Sequence, residues 1–305
     1  MNRAWKWIHF AALALAFVPE PSHAATASQQ WCVEARDAPS VIADCTQAIK
    51  EDPNFLAGWA LRCLAYQSQG YYTAAIADCT QVIVLNPMLY AGYEGRCVAY
   101  ASQRNYAAAI ADCTQAVVLN PNDAESYANR CAAYGNQGNY SAALADCAHA
   151  IAINPKKDLA YVARCGIYGN QRNYSAAIAD CTQAIKLNPS NDVAYQNRCA
   201  IYSGDGNYNA AIADCTQGIA LNSRNAATFG NRGFIYLKLG QFDNAITDYG
   251  AALKLNSKLA PSLYGRGIAK LKKGDEVGGN ADIAAAKAMQ PDVADGFVEY
   301  GIQPK

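Results

Sequence analysis

Residues 124–157 read AESYANRCAAYGNQGNYSAALADCAHAIAINPKK, and residues 158–191 read DLAYVARCGIYGNQRNYSAAIADCTQAIKLNPSN. Laid over one another without a gap, they align Tyr127 with Tyr161, Cys131 with Cys165, Cys147 with Cys181 and Asn154-Pro155 with Asn188-Pro189. A fixed period in this range marks a solenoid array, in which each unit stacks only on its neighbours. Working outward, the cysteine intervals from Cys45 to Cys215 alternate between 18 and 16 without exception. Seven registers of 34 residues begin at Leu56, Tyr90, Ala124, Asp158, Asp192, Ala226 and Ala260. A degenerate unit precedes them and ends near Phe55.

Within each unit the fourth place is aromatic or Leu, from Trp59 and Tyr93 to Phe229 and Leu263, and the eleventh is Tyr in all but the last, which has Lys270. A Gly or a polar pair follows, as in Gln69-Gly70 or Arg104-Asn105. A second apolar run such as Tyr72–Leu85 then closes on Asn-Pro, as at Asn86-Pro87 and Asn120-Pro121. Apolar residues recur at three- and four-residue steps in both runs, which is the helical period. Proline after the second run stops that helix and starts the next connection. Each unit is therefore expected to be helix–turn–helix, and the chain all-α with no strand signal.

The pattern of Trp59, Tyr66, Gly70, Tyr72, Ala75, Ile76 and Pro87 resembles the tetratricopeptide repeat, and the later copies match as well. The seventh unit carries the pattern almost unaltered, with Asn231-Arg232-Gly233 followed by Ala245-Ile246-Thr247-Asp248-Tyr249. The resemblance covers roughly residues 25 to 293. It implies a right-handed α-solenoid of about eight helical hairpins and a scaffold that binds proteins or peptides. It does not specify the client.

The departure from that pattern is a cysteine pair. In units two to six the eighth place is Cys63, Cys97, Cys131, Cys165 and Cys199, and the twenty-fourth is Cys79, Cys113, Cys147, Cys181 and Cys215. The seventh unit exchanges both at once, for Gly233 and Tyr249, and the eighth has Gly267 with Ile283. Joint exchange of a small and a large residue for two medium ones predicts direct contact between the two places. Pairing within units uses all twelve cysteines, including Cys32 with Cys45. Pairing across units, as Cys79 with Cys97, leaves Cys32 and Cys215 single.

Buried free thiols are the plain alternative to disulfides, and the compartment decides between them. Residues 1–24 carry Arg3 and Lys6, an apolar run from Trp7 to Val18, and Ser22-His23-Ala24, the layout of a secretory signal peptide. The apolar run is too short to span a bilayer as a mature helix. Cys32 lacks the surroundings of a lipidated N-terminus. An exported chain with an even cysteine count reads as a disulfide framework. The expected order is a signal peptide at 1–24, a degenerate first repeat at 25–55, seven repeats at 56–293, and a C-terminal cap or tail at 294–305. The last two repeats lack a clasp and are expected to be the softest. The small Ala/Asn-rich units and the signal resemble bacterial exported repeat proteins, which implies the periplasm, with secretion as the alternative.

No cofactor is expected. Zinc and cluster sites usually begin with two cysteines separated by two to four residues, and no two cysteines here are closer than 13. His149 sits where other units carry Gln81, Gln115, Gln183 and Gln217, on an expected solvated face. Acids and bases recur at fixed helical places instead of gathering once in a pocket, so no enzyme activity is read. The 25 basic residues are matched by 25 acidic ones, which gives no basic excess for nucleic acid.

Arginine holds the seventh place from Arg62 to Arg266, and aspartate the twenty-third from Asp44 to Asp282. These rows read as an internal Arg–Asp ladder rather than an anion-binding stripe. Seven arginines against eight aspartates do not decide whether pairing is within or between units.

By resemblance, the first helices line a groove. Its places are mostly small and neutral in units two to six, with Glu94 and Glu125 as charged exceptions. It turns apolar and basic at Phe234, Leu237, Lys238, Tyr264, Leu271 and Lys272, the candidate partner-binding residues; the plain alternative is that they pack against a C-terminal cap offering Val293, Phe297, Val298, Tyr300 and Ile302. A lysine clamp for chaperone tails is missing, because the fifth place is never Lys. The reading is an exported, non-catalytic scaffold for a protein or peptide ligand. The alternatives are an envelope-associated spacer touching cell-wall glycan, or an accessory subunit of an enzyme.

Overall fold

A computed structural model describes residues 25–35 and 37–303. The expected signal segment, residues 1–24, lies outside the described residues. Regular structure among the described residues is entirely helical, with no strand. By packing, the chain divides into two compact units, one ending at Arg164 and one beginning at Cys165.

The first unit opens with a short hairpin of α1 (Ala27–Glu34) and α2 (Ala38–Glu51). It continues through α3 (Leu56–Ser68), α4 (Tyr72–Leu85), α5 (Tyr90–Ser102), α6 (Tyr106–Leu119), α7 (Ala124–Gln137) and α8 (Tyr140–Ile153). Helix α9 (Asp158–Asn170) carries the division. The second unit continues with α10 (Tyr174–Leu187), α11 (Asp192–Gly204), α12 (Tyr208–Leu221), α13 (Ala226–Lys238) and α14 (Phe242–Leu255). It closes with α15 (Ala260–Lys272), α16 (Glu276–Met289) and the single turn α17 (Asp295–Val298). Every register start read from the sequence is the first residue of a helix: α3, α5, α7, α9, α11, α13 and α15.

Local chemistry sets these boundaries. The side chains of Asn105, Asn139, Asn173 and Asn207 precede second helices and accept hydrogen bonds from the amides of Ala108, Ala142, Ala176 and Ala210. Such caps satisfy donors that the first turn leaves without a partner. The hairpin turn needs a left-handed residue. Gly138 supplies it at φ 87°, whereas Arg104 and Arg172 adopt φ 62° and 59° at the same place.

Helices within a hairpin approach closely because small residues face each other. Ala75, Ala109, Ala143, Ala177, Ala211 and Ala245 all hold the twentieth place and are fully buried. Around them the core breaks into small clusters, each centred on a cysteine pair. Cys97, Ala109 and Cys113 pack with Ala133 of the following repeat, and Cys199, Ala211 and Cys215 pack with Ile235. Each cluster thus needs its neighbour to be sealed, as expected for a repeat that cannot stand alone. The end of the second unit differs. There Leu237, Tyr249, Tyr264, Ile268, Val293, Phe297 and Ile302 form one larger apolar cluster.

Candidate functional site

The cysteines form disulfides within hairpins: Cys32–Cys45, Cys63–Cys79, Cys97–Cys113, Cys131–Cys147, Cys165–Cys181 and Cys199–Cys215. Their Cα atoms lie 4.6–5.6 Å apart, the span of an ordinary disulfide. In the seventh and eighth repeats the pair is replaced by contact. A Cβ placed on Gly233 would stand 3.1 Å from the Tyr249 ring, and one on Gly267 would stand 2.8 Å from Ile283. The eighth and twenty-fourth places therefore touch in every form they take.

The arginine row is internal. Arg96 donates from Nε and Nη2 to both oxygens of Asp112, at 2.7 and 2.8 Å, and from Nη1 to Thr80 at 3.1 Å. Arg62, Arg130, Arg198 and Arg232 repeat this with Asp78 and Thr46, Asp146 and Thr114, Asp214 and Thr182, and Asp248 and Thr216. The carboxylate comes from the same repeat and the hydroxyl from the one before. Pairing with Asp is therefore within repeats, while Thr carries the contact between them. Asp44 is the extra acid because its own repeat has Trp31 at the arginine place. The fourth-place rings cover the guanidinium, with Arg62 4.9 Å from the Trp59 ring centre and Arg130 5.4 Å from Tyr127. Hydrogen bonding to Asp112 outweighs burial and holds the Arg96 pKa above its ordinary value. These groups serve the scaffold.

In the first unit, the first helices present a polar cluster. Lys157 donates to Glu125 at 2.6 Å, and Asn129 donates to the buried Glu94 at 3.4 Å. Burial works against the Lys157 charge, yet Glu125 and Glu94 hold its pKa above the ordinary value. Burial, with Asp123 and Glu94 nearby, pushes Tyr90 up to about 12. Lys157 could not be picked out in the sequence because it lies in an inter-helix connection, outside the helical stripe. His149 is exposed and its ring lies 4.5 Å from that of Tyr127.

The second unit holds the sequence-predicted stripe, and the structure brings part of it together. Phe234 and Tyr264 converge with Phe297 and Tyr300 of the closing segment. Ring centres are 5.9 Å apart for Phe234–Phe297, 5.2 Å for Phe234–Tyr300 and 5.0 Å for Tyr264–Phe297. Lys238 donates from Nζ to the carbonyl of Tyr300 at 2.5 Å. Leu237 is buried in the same apolar cluster. Leu271 turns instead toward its hairpin partner α16, where a Cβ on Gly279 would meet it at 2.7 Å, and Lys272 is exposed. Burial, with Asp295 nearby, raises the Tyr264 pKa.

One participant was not singled out in the sequence. Arg172, in the turn after α9, pairs with Glu299 of the closing segment. Its signal was visible in outline: five repeats have glycine at this turn place, at Gly70, Gly138, Gly206, Gly240 and Gly274. Among the described residues no group of three or more His, Cys, Asp or Glu could hold a metal ion, and no helix is long and apolar enough to cross a membrane.

Comparison with known proteins agrees with this architecture. Models of the tetratricopeptide repeat match residues 60–124, 124–157, 160–191 and 226–259, which together exceed half of the chain. No curated protein matches the sequence. Among solved structures, the APC/C hetero-tetramer Cut9-Hcn1 is similar with a TM-score of 0.72 at 16% identity. That match covers 88% of this chain and 53% of the other, so the chain spans about half the length of that relative. A tetratricopeptide repeat protein from Parabacteroides merdae gives a TM-score of 0.61 at 17% identity, covering 86% of this chain and 99% of the other. The Pseudomonas aeruginosa pilF structure gives 0.58 at 15% identity, covering 69% of this chain and 97% of the other. At these identities the likeness shows the fold alone.

Proposed function

We propose that this chain, which belongs to the tetratricopeptide-repeat family, is an exported, non-catalytic scaffold that binds a protein or an extended peptide along its first helices. One observation carries the reading. The polar and reactive groups that recur along the array are engaged internally, the arginines on Asp, Thr and aromatic rings, the cysteines on one another. What differs between repeats is the groove-lining stripe of the first helices, from the buried Glu94 and half-buried Glu125 in one unit to the half-buried Phe234 and Lys238 and the buried Tyr264 in the other. Fixed framework with variable face is the organisation of a recognition surface.

Export is supported by the six disulfides, which persist in oxidising compartments, and by the signal-like residues 1–24. The periplasm is the compartment that this combination fits best. Capture from an oxidised extract tests the function: a stoichiometric protein partner supports it. A second reading, an envelope spacer touching glycan, is favoured by one feature. A cavity of about 580 Å³ is lined by Tyr66, Tyr71, Tyr72, Thr73 and Gln103, and such rings and amides suit sugar faces and hydroxyls. Retention on cell-wall material without a protein partner would support that reading instead. Fractionation and N-terminal sequencing test export; mature protein starting at Met1 in the cytosol overturns it.

A further inference from the structure

The closing segment is seated in the second unit as a peptide ligand would be. Phe297 is buried between the rings of Phe234 and Tyr264, and Tyr300 packs edge-on against Phe234. Lys238 holds the main-chain carbonyl of Tyr300, a contact indifferent to side-chain identity. Arg172 pairs with the Glu299 carboxylate across 127 residues of sequence. Side-chain pockets for selectivity and a backbone contact for anchorage are the division of labour found in peptide recognition.

Several features set this segment apart from a permanent part of the core. Its only helix is one turn, Asp295–Val298, followed by Gly301 at φ 70°. Val298 and Tyr300 remain 46% and 39% exposed although Phe297 is buried. The Arg172–Glu299 pair is exposed on both sides, and exposed pairs hold weakly. Arg172 itself adopts a left-handed φ of 59° where five other repeats use glycine. The ninth place is small or aliphatic in other repeats (Leu64, Val98, Ala132, Gly166, Ala200, Ile268) and becomes a large ring only at Phe234.

We propose that Phe234, Lys238, Tyr264 and Arg172 form a recognition site for a partner segment with two aromatic residues three apart and a carboxylate just before the second. The chain's own Phe297-Val298-Glu299-Tyr300 occupies this site until such a segment displaces it. The inference rests on the scaffold reading and gives its ligand a chemistry. An intramolecular occupant lowers the apparent affinity for a competitor by the fraction of time the site is filled. Weakening the occupant therefore strengthens capture of a segment supplied from outside.

The test uses the full chain carrying Phe297→Ala and Tyr300→Ala, with a fluorescent synthetic peptide of residues 292–305 as probe. Fluorescence anisotropy is expected to show at least tenfold tighter capture by this variant than by the unaltered chain. A peptide with Glu299→Lys is expected to bind the variant about threefold more weakly, the scale of an exposed ion pair, and Arg172→Glu in the variant to reverse that preference. A folded variant that ignores the peptide, or that takes both peptides equally, overturns the proposal. If the double variant does not fold, Arg172→Glu alone serves. Amide exchange across 295–302 should then accelerate about threefold and be restored by Arg172→Glu with Glu299→Arg; unchanged exchange overturns the proposal. Partner capture by the unaltered chain is read separately. Lost peptide selectivity with capture retained sinks this inference and leaves the scaffold reading standing.

Discussion

Tyr249 and Gly233 occupy, in the seventh repeat, the two places that Cys215 and Cys199 bridge in the sixth. The ring fills the volume of the missing disulfide so fully that a Cβ on Gly265 of the next repeat would fall 2.4 Å from Tyr249 Cζ. The same crowding occurs upstream, where a Cβ on Gly95 would meet Cys79 Sγ at 2.6 Å. Ring and disulfide are two solutions to one packing problem.

This equivalence predicts a seventh disulfide. Replacing Gly233 and Tyr249 by Cys should give an oxidised Cys pair detectable by non-reducing peptide mapping. A closed loop of this size stabilises by about 3 kcal/mol when its geometry is unstrained. Free thiols at both positions in the oxidised protein would contradict the equivalence.

Tyr249 also carries a hydroxyl with no hydrogen-bond partner among the described residues, although the side chain is buried. Burial drives its pKa far above the ordinary tyrosine value. A buried hydroxyl without a partner costs about 1–3 kcal/mol. Tyr249→Phe should therefore stabilise the protein by about 1 kcal/mol, read as a higher urea midpoint at constant slope. A loss of stability would reveal a partner for the hydroxyl.

Contact between the cysteine places was legible in the sequence because the repeats can be compared with one another: joint exchange at 233 and 249 exposes a shared contact. The arginine ladder was legible as a ladder, but its connectivity was not, since Arg62 lies one helix from both Asp44 and Asp78 along the stack. Thr46 and Thr80 went unnoticed, because a hydroxyl on an exposed helix face has many uses. The seat of Phe297 and Tyr300 was legible only in outline, as an apolar cap that could pack on the Phe234–Tyr264 stripe. The closing segment has no second copy to compare with, and its contact with Arg172 is too distant in sequence for any local pattern.

The sequence alone makes the unclasped last repeats the softest. The structure gives them the largest apolar cluster among the described residues, with Tyr249, Tyr264 and Phe297 buried together. Reduction should then reorder the protein. Each clasped hairpin loses about 3 kcal/mol of constraint on its unfolded state, whereas the end loses nothing. Hydrogen exchange in reductant should leave residues 226–289 the best protected region. Equal loss of protection along the chain would refute this ordering.

The ladder makes a prediction about coupling. In Arg130–Asp146 both side chains are almost buried, at 15% and 11% exposed. Removing one partner of such a pair leaves a charge without compensation, at a cost of about 3–5 kcal/mol. Arg130→Ala and Asp146→Asn should each be severe, and the double variant little worse than either. Thr114→Ala should cost about 1 kcal/mol, because it removes one hydrogen bond from a guanidinium still held by Asp146. Additive losses in the double-mutant cycle would mean that the pair contributes no coupling.

Asp282 extends the ladder to acid. Burial raises its pKa, but Arg266 at 2.7 Å and Lys270 at 2.9 Å outweigh that and hold it below the ordinary 3.8. Lys270 stands where the preceding repeats carry tyrosine, so this aspartate alone in the row meets a lysine from the eleventh place. The folded carboxyl binds its proton more weakly than the unfolded one does. Its contribution is thus fully present above pH 3.8 and is lost as pH falls through the lower folded value. A carboxyl-detected NMR titration should place Asp282 below 3.8. Asp282→Asn should lower stability near neutral pH and flatten the acid limb of the α15–α16 hairpin. If Asp282 titrates at or above the ordinary aspartate value, burial outweighs both cations and the hairpin gains no acid sensitivity from them.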